Sequence, residues 1–288
     1  MFNKFLSFAF IAMMMSGLMF SCKDNKDPVD DGKIDPSTIA ASNLIAYFPF
    51  ESETGSISKG EGITFGKKGG AASFVDGRRG KAYKGSPNGA YLEYNLAASN
   101  PFKTAKGFTV AAWIKTPPAD GAGMIFQMNG GDDFMGNLCL FLEGGCDNES
   151  LDIKGYLYSA TPPEWKGHDI RIKDEAFLSD KWVHIAISYD NTTSTLALWA
   201  SGLLVHTSIR YFGPEPETGS QPLLGNLQFG QNMTKINIGA WKQQIAEEGQ
   251  DWMKYYPGLL DELRIYNKAL SETEMKALYD AEVTQINQ

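Results

Sequence analysis

Cysteine and histidine are both scarce, at 3 residues each in a chain of 288. So few Cys exclude a disulfide-stapled scaffold and a four-thiolate zinc site. So few His leave no His-rich metal centre. Cationic side chains are in deficit: Lys and Arg number 26, Asp and Glu 34, and the net charge is −8. With no basic stripe along the chain, nucleic acid is excluded as a partner. Long hydrophobic runs are missing beyond Phe20, so no later segment reads as a membrane-spanning helix.

What is abundant points to β-structure. Aromatics make up 12% of the chain and Gly numbers 30. That mixture suits many strands joined by tight turns better than a helical bundle.

The N-terminus reads as an address. Lys4 gives a basic start, and Phe5 to Phe20 is almost wholly apolar. The run is short for a membrane span and has the form of a signal peptide over residues 1–21. It ends at Ser21-Cys22, which resembles a bacterial lipobox, with Phe20 standing where a smaller residue is usual. That resemblance implies cleavage before Cys22 and acylation of its thiol; an ordinary signal peptide is the alternative. Residues 22–43 hold Asp24, Asp27, Asp30, Asp31 and Asp35 among Pro28 and Pro36. They carry too little apolar surface to offset ordering, so a flexible acidic tether is expected. The acidic stretch resembles the surface-export signal of Bacteroidetes lipoproteins. The implied location is the outer membrane, with the domain exposed at the cell surface and lipid as its anchor.

Residues 44–288 read as one all-β domain. Phe108, Val110, Ala112 and Ile114 alternate with Thr109, Ala111, Trp113 and Lys115. Val183, Ile185 and Ile187 alternate in the same way within Trp182 to Tyr189. Further strand signals cover Leu44 to Phe50, Thr195 to Ala200, Leu203 to Thr207, Lys235 to Gly239 and Leu259 to Tyr266. In the last, Leu259, Asp261, Leu263 and Ile265 are expected to share one face, which would bury the Asp261 carboxylate. Antiparallel hairpins without intervening helices indicate a two-sheet sandwich. One helix is expected, at the C-terminus. Ser271 is its N-cap, Glu274 completes a capping box, and Leu270 and Met275 form a hydrophobic staple.

Six segments carry a resemblance over most of this domain. They are Leu44 to Glu51 (LIAYFPFE), Phe74 to Ala82 (FVDGRRGKA), Gly107 to Lys115 (GFTVAAWIK), Lys181 to Asp190 (KWVHIAISYD), Leu198 to Gly202 (LWASG) and Gly258 to Ser271 (GLLDELRIYNKALS). In this order they resemble laminin-G-like, concanavalin A-like lectin/glucanase jelly-roll domains. The resemblance implies a two-sheet antiparallel jelly roll with one short C-terminal helix. It does not choose an activity, because one fold hosts many.

Glycoside hydrolases on this fold carry Glu-x-Asp-x-Glu or Glu-x-Asp-x-x-Glu on one strand, so that their carboxylates flank the scissile bond. No Glu here begins such a run. No catalytic residue is assigned, although Asp132, Asp133 and Glu143 could converge in a cleft. Carbohydrate binding is the better reading, since sugars stack their C–H faces on aromatic rings and pair their hydroxyls with polar side chains. Trp113, Trp182 and Trp199 lie in strand motifs and read as core. Trp165 with His168, and Trp241 and Trp252 with Tyr255, fall in long insertions, where function collects. The rival reading makes those Trp lids over the sandwich's own apolar rim.

The resemblance further implies a structural Ca²⁺ near the chain ends, drawing on Glu51 and Asp261, with Asp76 a weaker third. A buried Asp261 needs a partner, and Arg264 or a backbone amide competes with the metal for that role. Cys139 and Cys146 flank Glu143-Gly144-Gly145 and would bridge in an oxidising compartment if a turn brought their Cα atoms within about 7 Å. The expectation for function is a surface-anchored lipoprotein that binds a glycan or polysaccharide in capture or adhesion. An atypical glycoside hydrolase of the same fold and a module contacting surface proteins are the rivals.

Overall fold

The structure, a computed structural model, describes residues 34–53, 55–130, 134–144, 149–159, 166–212, 221–229 and 232–284. The expected signal peptide, Cys22, Asp132, Asp133, Cys146 and Trp165 lie outside the described residues.

The chain opens with β1 (Leu44–Phe48), β2 (Lys59–Gly60), β3 (Ile63–Gly70), β4 (Ser73–Asp76), β5 (Lys81–Lys84) and β6 (Ala90–Leu96). There follow β7 (Phe108–Lys115), β8 (Ala122–Asn129), β9 (Leu138–Leu142), β10 (Ser150–Ser159) and β11 (Lys166–Leu178). Next come β12 (Trp182–Asp190), β13 (Thr195–Ala200), β14 (Leu203–Ile209) and β15 (Lys235–Ile238). A short helix α1 (Lys242–Ile245) and β16 (Met253–Tyr255) precede β17 (Leu259–Tyr266) and the closing helix α2 (Glu272–Thr284).

Two sheets face each other. The first runs β14-β13-β12-β7-β17-β1-β2, with the β4–β5 hairpin joined to β17. The second runs β11-β10-β9-β8-β15-β6-β3, with β16 lying parallel on β8. The period-2 alternation explains the layering. Val110, Ala112 and Ile114 of β7 and Val183, Ile185 and Ile187 of β12 turn inward, meeting Leu138, Leu140 and Ile153 of the second sheet in one core.

Alternation fails in β17, which corrects the expected face. Glu262 adopts φ 52° and a bulge separates Asp261 from Arg264. The bulge flips parity, so Leu260, Leu263 and Ile265 point into the core. Asp261 leaves that face, yet it is fully buried elsewhere. The expected tether is also corrected at its end. Asp35 caps a single turn at Pro36–Thr38, Pro36 is buried, and Ile39 and Ala40 pack on the domain.

The capping box forms as expected: Ser271 N–H donates to Glu274 Oε2 at 2.9 Å, and Glu274 N–H donates to Ser271 Oγ at 3.2 Å. α2 buries Met275 and Leu278 against Ala111, Ala186 and Trp199 on the outside of the first sheet. Under its last turn sits a buried charge network. Glu282 pairs with Arg264, accepts from Trp113 Nε1 at 2.7 Å, and lies 3.7 Å from His184 Nε2. Arg264 also meets Glu262 at 3.0 Å and lies 4.1 Å from the Tyr47 ring centre. Burial pushes Glu282 up to about 7 even beside Arg264. Burial drives His184 down to about 3. His184 is therefore a neutral packing residue here.

Candidate functional site

The outer face of the second sheet is crossed by one excursion of chain. β15 ends at Ile238, and Gly239 comes next with φ 84°. A Cβ there would collide with the Tyr83 hydroxyl, which is itself tied to Ala90 O at 2.8 Å. Glycine lets the chain leave the sheet at that point. Trp241 then turns down onto the sheet. It is fully buried, its Nε1–H donates to Ala122 O at 2.8 Å, and it packs edge-on to Phe141 at 4.9 Å. Two amide side chains fix the start of α1. Lys242 N–H donates to Gln127 Oε1 at 2.8 Å, and Gln243 Nε2 donates to Phe134 O at 2.7 Å. The loop between β8 and β9 is thereby tied to α1.

Trp252 stands on this base. Its ring meets Trp241 at 5.2 Å and Phe134 at 6.1 Å, and its Nε1–H donates to Gln250 Oε1 at 2.6 Å. Trp252 is 40% exposed and Phe134 44%. A cavity of about 280 Å³ opens beside them, lined by Met135, Phe141, Glu143, Lys154 and Trp252. Its polar wall comes from β10. Leu151, Ile153 and Leu157 fill the core, so Asp152 and Lys154 emerge on the outer face. Lys154 Nζ lies 3.4 Å from Glu143 Oε2 and 3.2 Å from Asp169 Oδ2. Arg171 grips Asp152 with both arms, at 3.0 and 2.6 Å. Glu143 Oε2 is buried and accepts no hydrogen bond from the described residues.

Chemically, the cavity offers an apolar ring face, a partly exposed carboxylate and an ammonium donor. One lysine bridges two carboxylates, which places hydrogen-bond donors and acceptors side by side along the wall. A second, more open hollow of about 520 Å³ lies on the same excursion, lined by Gln244, Glu247, Gln250 and Tyr255 among others.

The predicted binding residues separate accordingly. Trp252 is exposed in the cavity, and Tyr255 borders the second hollow. Trp241 is corrected: with no exposed surface, it cannot stack a sugar, and it serves as the base for Trp252. His168 is corrected as well. It pairs in register with inward-facing Leu157 and is only 6% exposed. Cys139 is buried beneath Trp241 among Met124 and Met253, and its expected bridge partner Cys146 lies outside the described residues. Phe134, Phe141 and Lys154 escape a sequence reading because they reach the site from separate elements. The polar alternation of β10 is the signal that marks Lys154.

Two of the three expected calcium ligands meet at one turn. Glu51 Oε2 accepts from Lys81 N–H at 3.0 Å, and Asp261 Oδ2 accepts from Arg79 N–H at 2.9 Å. Gly77 and Gly80 let this turn approach, since a Cβ at either would collide with a carboxylate oxygen of Asp261 or Glu51. Burial pushes Asp261 up to about 8, against the pull of its backbone donors. Asp76 is corrected: it is exposed and binds Lys81 Nζ at 2.6 Å. Among the described residues, no three His, Cys, Asp or Glu side chains cluster as a metal set. Also among them, no helix is long and apolar enough to cross a membrane.

A family model described as the concanavalin A-like lectin/glucanases superfamily matches residues 88–276 of this chain. No curated protein matches it in sequence. Solved structures do match in shape. The binding domain of Paraclostridial Mosquitocidal Protein 1 is similar with a TM-score of 0.59 and 18% identity, covering 83% of this chain and 52% of that one. The binding domain of botulinum neurotoxin DC in complex with SialylT gives 0.54 and 10% identity, covering 83% and 52%. Domain 4 of an extracellular arabinanase from Geobacillus stearothermophilus, in complex with arabinotriose, gives 0.50 and 20% identity, covering 82% and 98%. This chain therefore spans about half the length of the toxin domains and nearly all of the arabinanase domain.

Proposed function

The chain belongs to the laminin-G-type family of the concanavalin A-like lectin/glucanases superfamily, and from that premise we propose that it is a glycan-binding module whose ligand stacks on Trp252. The observation that carries this is a ring 40% exposed, held on a buried Trp and facing an open cavity whose wall carries Glu143 and Lys154. A pyranose would lay its C–H face on Trp252. Its hydroxyls would donate to the Glu143 carboxylate, whose side chain is 26% exposed, and accept from Lys154 Nζ. Because Trp241, Gln250 and Phe134 fix the ring beforehand, little side-chain entropy is lost on binding. Lys154 facing Glu143 and Asp169 leaves the wall net negative, so neutral glycans are favoured over anionic ones. The bound arabinotriose of the arabinanase domain supports this class of ligand.

The test is a glycan array probed with the full chain, with calcium and again with chelator. The expected result is retention on neutral glycans. Retention on acidic glycans alone would overturn the ligand class, and silence across the array would overturn the reading.

The N-terminal sequence and the β4–β5 turn each support a companion proposal. We propose that Cys22 is acylated and tethers the domain to the outer surface of the outer membrane. Cys22→Ser should then move the protein from the detergent phase to the aqueous phase. We also propose that Glu51 and Asp261 hold a Ca²⁺ together with backbone oxygens, as a staple between the first strand, the β4–β5 turn and β17. At a hundredfold excess over Kd the ion would add about 2.7 kcal/mol. Thermal unfolding should shift up with Ca²⁺, and Asp261→Asn should abolish the shift. An equal shift in both proteins would refute the assignment.

A further inference from the structure

A third hollow lies on the opposite side of the sandwich from Trp252, over β12, β13 and β14, and the start of α2 closes one side of it. Its volume is about 210 Å³, below the roughly 300–1,000 Å³ of drug-sized sites. That is room for one ring or one small amine, not for a polymer.

Trp199 and Ala197 lie buried at its base, and Leu204, 42% exposed, is the apolar side chain open to it. The indole is fixed, since Trp199 Nε1–H donates to Ser188 Oγ at 2.8 Å. Thr193, Thr195 and Thr207 add hydroxyls around it. Asp190 and Glu272 supply two carboxylates, while among the described residues no Lys, Arg or His is part of the lining. Burial alone would raise Asp190, but its hydrogen bonds from Thr192, at 2.8 and 2.7 Å, hold it below the ordinary carboxylate value. Glu272 sits in the first turn of α2.

We propose that this hollow binds a small polyhydroxylated ligand bearing an ammonium group, of hexosamine size. Two carboxylates attract a cation. The ring of hydroxyls matches a polyol, and the exposed Leu204 side chain takes a C–H face. The site shares no lining residue with the Trp252 cavity, so the proposal stands or falls separately from the glycan reading.

The test follows the Trp199 indole N–H signal of the full chain by NMR during titration with glucosamine. N-acetylglucosamine, which lacks the charge, and lysine amide, which lacks the ring hydroxyls, are the two control ligands. A saturable shift with glucosamine is expected, with binding about fivefold weaker for each carboxylate removed by Asp190→Asn or Glu272→Gln. Trp252→Ala should leave it unchanged. Glu272 is exposed, so its amide variant keeps the fold and keeps the test decisive if Asp190→Asn misfolds. No saturable shift would overturn the proposal, as would equal binding of N-acetylglucosamine. Equal binding of lysine amide would overturn the polyol half of it.

Discussion

Replacing Arg264 with alanine is expected to cost about 3–5 kcal/mol of folding stability, because it strands two buried carboxylates without their cation. Glu282 and Glu262 both lean on this guanidinium, and each is nearly inaccessible to water. Urea unfolding measures the cost, and a loss under about 1 kcal/mol would show that the network is a bystander. The same network makes a signed prediction about pH. Glu282 moves from 4.5 up to about 7 on folding, so between those values the folded state holds the extra proton. Its contribution to stability therefore falls as pH rises through that window. His184 moves from 6.5 down to about 3, so its contribution is lost as pH falls through its own window. Where the windows overlap, the two slopes oppose each other. Glu282→Gln removes one slope and leaves the other. Relative to the unmodified protein, stability of that variant should climb with pH by up to about 1.4 kcal/mol per unit over the overlap. A variant whose pH dependence tracks the unmodified protein would contradict the account of His184 and Glu282.

Replacing Trp252 with alanine is expected to weaken glycan binding by about 2 kcal/mol or more, roughly thirtyfold in Kd, while leaving the fold intact. Its ring is 40% exposed and packs on Trp241 and Phe134 from above, outside the two-sheet core. Trp241 should behave in the opposite way. Its side chain is fully buried and fills the space between Phe141 and Met253. Trp241→Ala should cost about 3–5 kcal/mol in stability as well as binding. The pair thus separates a residue that meets ligand from a residue that positions it. Melting curves and binding titrations on both variants make the distinction. Equal destabilisation by both would mean that Trp252 is a lid over the domain's own rim.

The sandwich is legible in the sequence wherever one face of a strand is core and the other is not. β7, β12 and β13 begin where their alternating runs begin, because period-2 burial leaves no other register. The C-terminal helix is legible for a local reason: Ser271, Glu274, Leu270 and Met275 satisfy its first turn among themselves. β17 is legible in extent but not in face. A single residue at positive φ, Glu262, inverts everything before it, and no residue pattern announces that bulge. The site is legible only in part. A Trp in a long insertion reads the same whether it caps the sheet or waits for ligand, and Trp241 and Trp252 are one of each. His168 misleads because its neighbours in sequence are polar, whereas its partner across the ladder is core Leu157. Glu51 and Asp261 meet only because the glycines of the β4–β5 turn let backbone amides reach both carboxylates. That convergence is long-range, and spacing along the chain does not encode it.

The most direct test of the central claim is isothermal titration of the full chain and its Trp252→Ala variant with the neutral oligosaccharide that the array retains best. The account predicts saturable binding by the unmodified protein, with the affinity lost in the variant and the melting temperature of the variant unchanged. Equal affinity in the two proteins would contradict it and move the glycan site off the Trp252 face.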